Sequence, residues 1–204
     1  MGIAETLAGR RIGVTGATGF LGTAVVERLM RRVPDCEVVV LVRPGRRATA
    51  ADRMQREVLR NDAFDRLRAE LGDRFDEDVN RRLHVMAGDV SRDGLDLTDE
   101  GRELLASCDT VIHSAASVSF DSPLDAGVEV NLLGPLRVAQ TMGEVRLDHG
   151  SGAHMVSVST AYVAGNRRGD AAEELPRDEG VHAEVSWRAE VDGARRMRSD
   201  ADAE

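Results

Sequence analysis

The chain has 204 residues, 42% of them hydrophobic, enough for one globular domain with a sizeable core and too apolar for a disordered chain. Its net charge of −9 argues against nucleic acid as a partner, and its two cysteines, Cys36 and Cys108, make no disulfide framework and suit a reducing cytoplasm. The N-terminus reads without a signal-peptide core and no apolar run reaches bilayer length, which leaves only peripheral membrane contact open. All 27 basic residues are arginine, so a mechanism that needs a lysine is not completed by this chain alone.

In chain order, residues 1–10 read as a short lead-in and Arg11–Thr15 as the first strand. Residues 20–33 are predicted as a helix with Val25, Val26, Leu29 and Met30 as its buried stripe. Glu37–Val42 is the second strand, in which Val38, Val39, Val40 and Leu41 make a continuous apolar run, as expected of a strand buried on both faces. Helices are predicted over 49–59 and 63–71, and 73–82 reads as a charged connection. Leu83–Ala87 is the third strand. Thr98 is placed to cap a helix with Asp99 and Glu100 in its first turn, ending near Ser107. Thr110–His113 is the fourth strand, 114–123 a loop of small residues, and 124–142 a long helix that Pro135 must kink or break. Residues 153–158 read as the fifth strand, 183–198 as a further helix, and 199–204 as a frayed acidic end.

Strands alternating with helices predict an α/β fold: a Rossmann-like, doubly wound parallel sheet that stops after the fifth strand, followed by a helical tail. Residues 1–165 form the expected nucleotide-binding domain, and 166–204 a polar linker and the start of a helical insertion. Ligands in such sheets bind beyond the carboxyl ends of the strands. The first such end carries Thr15, Gly16, Thr18, Gly19, Phe20, Leu21 and Gly22, a GxxGxxG turn between a strand and a helix. Gly16 is read as turning sharply off the strand, Gly19 as admitting a pyrophosphate, and Gly22 as letting the helix pack close to the sheet. The helix N-terminus then faces the phosphates with free N–H groups. After the second strand, where an NAD site places an acid, stand Arg43, Arg46 and Arg47, whose guanidinium forks suit the 2′-phosphate of NADPH. Asp89 is placed to bond an adenine amino group, with Val90 on the ring; a plain turn stays open as a reading. Ala115 and Ala116 leave room for the cofactor, whereas His113 reads as a packed or hydrogen-bonded residue. No metal site is assigned.

The pieces TGATGFLG (15–22), GDV (88–90), HSAA (113–116), VNLLG (130–134) and VSTAYV (158–163) resemble the extended short-chain dehydrogenase/reductase superfamily. More narrowly, LVRPG (41–45), SVSFDSPL (117–124) and STAYVAGNRRG (159–169) resemble alcohol-forming fatty acyl-CoA reductases and thioester-reductase domains. The resemblance covers about residues 8–170. It implies hydride transfer from NADPH to a long-chain acyl-CoA or other acyl thioester, giving an aldehyde or an alcohol. Thr160, with Ser159 beside it, matches the hydroxyl that bonds the carbonyl oxygen. Asn131 matches a helix asparagine supporting the proton relay. The family's Tyr and Lys come as YxxxK, which this chain lacks: Tyr162 is its only tyrosine and position 166 is Asn. Tyr162 is therefore read as a pocket wall or packing residue. The expectation is a fragment that carries the cofactor site and not the full catalytic set, with the missing C-terminal portion as a partner. The alternatives are a non-catalytic NADPH-binding regulator and an epimerase or dehydratase acting on a sugar nucleotide.

Overall fold

The computed structural model describes residues 2–33, 35–119, 121–147, 154–160, 168–170, 172–173 and 186–203. Among them, one parallel sheet has the strand order β3-β2-β1-β4-β5, formed by β1 (Arg11–Thr15), β2 (Glu37–Val42), β3 (Leu83–Ala87), β4 (Thr110–His113) and β5 (His154–Ser157). Side chains alternate across it. Val38, Val40 and Val42 join Ile12, Val14, Val26 and Phe64 on one face; Val39 and Leu41 join Met86, Val111 and Val138 on the other. Both faces are thus covered, as a parallel sheet requires. The order reverses at β1, which pairs with β2 on one side and β4 on the other. That reversal opens a crevice at the carboxyl ends of these strands.

A short α1 (Ile3–Leu7) sits in the lead-in, and α2 (Phe20–Arg32) follows the glycine turn. Next, α3 (Ala50–Arg53) is capped by Thr49 and continues as a π turn through Met54–Leu59. After α4 (Asp65–Leu71), residues read as a charged connection form a helix, α5 (Phe75–Arg82). Its polarity hid a buried stripe at Phe75, Val79 and Arg82, spaced at i, i+4 and i+7. Asp76, Glu77 and Asp78 in its first turn and Arg81 and Arg82 in its last also complement the helix dipole. Arg82 is 3% exposed, and its guanidinium donates to the carbonyls of Met30, Val33 and Cys36 as well as to Asp78. It therefore satisfies the Met30 carbonyl, which α2 leaves open at its C-terminal end, and bonds two carbonyls of the turn beyond it.

Thr98 caps α6 (Asp99–Ala106) as expected. The long helix predicted over 124–142 is instead α7 (Leu124–Gly127), a π turn over Val128–Leu132, and α8 (Leu133–Leu147). Pro135 supplies the reason. It has no N–H for the carbonyl of Asn131, and its ring crowds that carbonyl, so the preceding turn widens. The tail helix α9 (Trp187–Ala203) continues through the residues expected to fray, where Ala201 and Ala203 favour helix. It docks through buried Val191 and Ala194 and through Arg195, which donates to Glu129. No helix among the described residues is long and apolar enough to cross a membrane.

Candidate cofactor site

A cavity of about 490 Å³ lies at the carboxyl ends of the strands. Gly16, Thr18 and Gly19 form one side, Leu41 and Arg43 the end of β2, Gly88, Asp89 and Val90 the end of β3, and Ser114, Ala115 and Ala116 the end of β4. The glycine turn is built by contact as much as by conformation. Gly16 has φ +75°, and a Cβ there would stand 2.6 Å from the Ala115 nitrogen. A Cβ on Gly22 would stand 2.1 Å from the Gly16 oxygen, so Gly22 lets α2 close on the glycine loop itself. Helix α2 begins at Gly19 with no side-chain cap and no acid in its first turn. Its first N–H groups have no intrahelical acceptors, and with the dipole they suit a phosphate. Cavity size, uncapped helix and small-residue walls together fit a dinucleotide.

Thr15 is buried beneath the loop. Its Oγ1 accepts from the Ala115 N–H at 3.2 Å and lies 2.7 Å from His113 Nδ1. The hydroxyl has a second acceptor lone pair and a proton of its own, so it can pair with Nδ1 in either tautomer of the imidazole. Burial lowers the pKa of His113. This bond and the Ser114 hydroxyl donating to the Thr15 carbonyl at 2.8 Å tie the glycine loop to the turn after β4. Acid is expected to weaken that tie. Unfolded His113 takes a proton near its ordinary value of 6.5, whereas folded His113 resists it. Its contribution to stability is therefore present above that pH and fades as pH falls, with a slope of at most about 1.4 kcal/mol per unit. Urea midpoints measured across this range for wild type and His113→Asn check it; equal pH slopes would show that burial of His113 does not contribute to the pH dependence.

On the far wall, Asp89 Oδ1 accepts from Ser91 N–H and hydroxyl at 2.9 and 2.7 Å, and its Oδ2 stands 3.8 Å from Arg43. The turn holding Asp89 is strained: Gly94, Leu95 and Asp96 all have positive φ. It is fixed by the Asp89 N–H donating to the Leu95 carbonyl at 2.8 Å and by buried Leu95. Val90 also lies close to Gly134 of α8.

Other residues singled out from sequence stand elsewhere. Phe20 is 97% exposed and Leu21 also faces outward, while Arg46 and Arg47 are exposed and do not line the cavity. Asn131 uses both ends of its amide on one residue: Oδ1 accepts from Ser117 N–H at 2.8 Å and Nδ2 donates to the Ser117 carbonyl at 2.9 Å. It thus holds the loop that follows β4. Ser159 and Thr160 are exposed just past β5. Tyr162 lies outside the described residues. Both cysteines are buried, and burial pushes the Cys108 thiol up to about 12, which leaves it inert as a nucleophile.

Sequence reading missed Arg53, Ala126 and Val130, all of which line the cavity. Arg53 donates to the Arg43 carbonyl at 2.6 Å and to Glu57 at 2.7 Å. Hydrogen bonds from Arg53 and Arg56 outweigh burial and hold the Glu57 carboxyl down to about 2. The capping box of Thr49 and Asp52 was the available signal, because it starts a helix whose first turn delivers Arg53 to the end of β2.

A model of the NAD-binding family described as male sterility protein matches residues 14–201. The chain belongs to this family. Among curated relatives, fatty acyl-CoA reductase 1 of Gallus gallus is 34% identical, over 81% of this chain and 31% of its own length. The alcohol-forming fatty acyl-CoA reductase of Simmondsia chinensis is 32% identical, over 82% of this chain and 34% of its own. The chain thus spans about a third of the length of these curated relatives. Among solved structures, the terminal R domain from the myxalamid PKS-NRPS biosynthetic pathway superposes with a TM-score of 0.59 at 27% identity, covering 83% of this chain and 40% of that one. The expected Rossmann-like fold and the resemblance to fatty acyl-CoA reductases therefore both hold.

Proposed function

We propose that the chain is the NADPH-binding portion of a reductase acting on acyl thioesters, with long-chain acyl-CoA as the leading substrate. The observation that carries the cofactor choice is the end of β2, where Arg43 and Arg53 line the cavity and no carboxylate follows the strand. An NAD site would place an acid there for the ribose 2′-hydroxyl. Two guanidinium groups would instead attract a 2′-phosphate, with Arg53 also fixing the Arg43 backbone. The names of the relatives support the substrate class.

In this reading NADPH, when bound, would supply the hydride that reduces a thioester carbonyl. The glycine loop and the uncapped start of α2 would hold the pyrophosphate, and Asp89 and Val90 would hold the adenine. Thr160, with Ser159 beside it, bonds the carbonyl oxygen at the end of β5 and stabilises charge developing there. Asn131 keeps the loop after β4 in place. The chain has no lysine and no YxxxK, so the proton donor comes from a further portion of the reductase. Two buried reduced thiols suit a cytoplasmic setting, and collection of acyl chains would involve at most peripheral contact with a membrane.

Fluorescence titration of the 204-residue chain with NADPH and NADH tests this directly. Wild type is expected to bind NADPH tighter, and Arg43→Ala to lose about tenfold or more of that affinity with NADH unchanged. Equal affinities would remove the cofactor assignment. No NADPH oxidation is expected with a long-chain acyl-CoA, and turnover would show that another proton donor is present.

A further inference from the structure

A second cavity, of about 520 Å³, adjoins the first and shares Arg43, Ala126 and Val130 with it. Its remaining walls are Ser91, Arg92 and Asp93 after β3, Glu129 and Arg137 of the helix after β4, and Arg195 of α9. Four guanidinium groups thus face two carboxylates, and both carboxylates are already engaged. Asp93 accepts from Arg137 at 2.8 Å, while Glu129 accepts from Arg137 at 2.6 Å and from Arg195 at 2.7 Å. Burial pushes the Glu129 carboxyl up, but these two arginines outweigh it and keep it ionised. The surplus is cationic. Arg92 makes no ion pair among the described residues, and Arg43 has only Asp89 at 3.8 Å, beyond hydrogen-bond reach. Arg195 binds Glu129 with one edge of its guanidinium, Nε and Nη2, and keeps further donors.

We infer that Arg92 and Arg195 complete, with Arg43, a subsite for a phosphomonoester carried on an adenosine ribose, so that α9 takes part in nucleotide binding. Charge and position both point there. The cavity begins where the adenosine end of a dinucleotide would lie, and its unpaired donors are guanidinium forks, which match a phosphate dianion. The salt bridges of Glu129 hold α9 against the π turn that carries Val130, so the third arginine arrives from an element otherwise remote in sequence. The inference rests on the cofactor reading above, and its test separates the two. NADPH carries a ribose 2′-phosphate and coenzyme A a 3′-phosphate, so two sources share this chemistry.

Calorimetric titration of the full chain with 2′,5′-ADP, 3′,5′-ADP and 5′-AMP decides it. Arg92→Ala and Arg195→Gln are each expected to weaken 2′,5′-ADP about fivefold while 5′-AMP stays within about twofold. A loss confined to 3′,5′-ADP would keep the subsite and assign it to coenzyme A. Unchanged affinity for both bisphosphates in both variants would overturn it. A wild type that binds 2′,5′-ADP no better than 5′-AMP would instead remove the NADPH reading and leave the subsite to the 3′,5′-ADP arm. Thermal midpoints accompany the titrations. Should Arg195→Gln release α9, Arg92→Ala decides alone, because Arg92 is exposed and has no ion pair among the described residues to lose.

Discussion

Gly22→Ala is expected to cost about 3 kcal/mol of stability and at least about tenfold in cofactor affinity. The added carbon would stand 2.1 Å from the Gly16 oxygen, 2.6 Å from its carbonyl carbon and 2.9 Å from the Ala17 Cα. All three are backbone atoms, so no rotamer change relieves the clash. Gly16 cannot retreat either, because the Ala115 nitrogen and the Ser114 carbonyl lie directly behind it. The loop is held between α2 and the turn after β4, and α2 must slide away from it. That movement carries the uncapped N–H groups away from where a pyrophosphate would sit. Gly19→Ala is the matched control: its φ of −90° suits alanine, and its Cβ would meet only the Gly16 oxygen at 3.3 Å. It is expected to cost under about 1 kcal/mol. Urea unfolding read alongside NADPH titration tests the pair, and a Gly22→Ala chain as stable as Gly19→Ala would show that the close approach is not needed.

The second large effect lies at the opposite end of α2. Arg82→Ala is expected to lose on the order of 3 kcal/mol, because it strips partners from the carbonyls of Met30, Val33 and Cys36 and leaves Asp78 without its buried cation. Arg82→Met refills the volume but not the bonds, and is expected to recover little. Arg82→Lys keeps the charge but cannot reach several carbonyls at once from a single ammonium, so it falls between. Chemical denaturation of the series orders these contributions, and a loss below about 1 kcal/mol for Arg82→Ala would mean that water replaces the guanidinium.

Legibility followed burial. Arg11–Thr15, Glu37–Val42, Leu83–Ala87 and Thr110–His113 were each read to the residue, because short apolar runs between turn signals have few alternatives in a sheet covered on both faces. Residues 73–82 were misread because charge dominates that stretch, and the stripe of Phe75, Val79 and Arg82 has an arginine as its third member. An arginine counts as core only once three carbonyls surround it, and those carbonyls belong to α2 and the turn beyond it. Pro135 announced a break but not its form, since a kink and a widened turn remove the same crowding.

The same division runs through the site. Sequence by itself determined the glycine loop, the parallel α/β order and the basic end of β2, because each is a local conformational or chemical requirement written in adjacent residues. Only the tertiary structure decided which arginines face the cavity. Arg46 and Arg47 stand beside Arg43 in sequence yet are exposed and line neither cavity, whereas Arg53, Arg92 and Arg195 reach cavity walls from α3, the turn after β3, and α9. Guanidinium groups act over a few ångströms of space, and chain proximity does not measure that distance once the strands have been ordered β3-β2-β1-β4-β5.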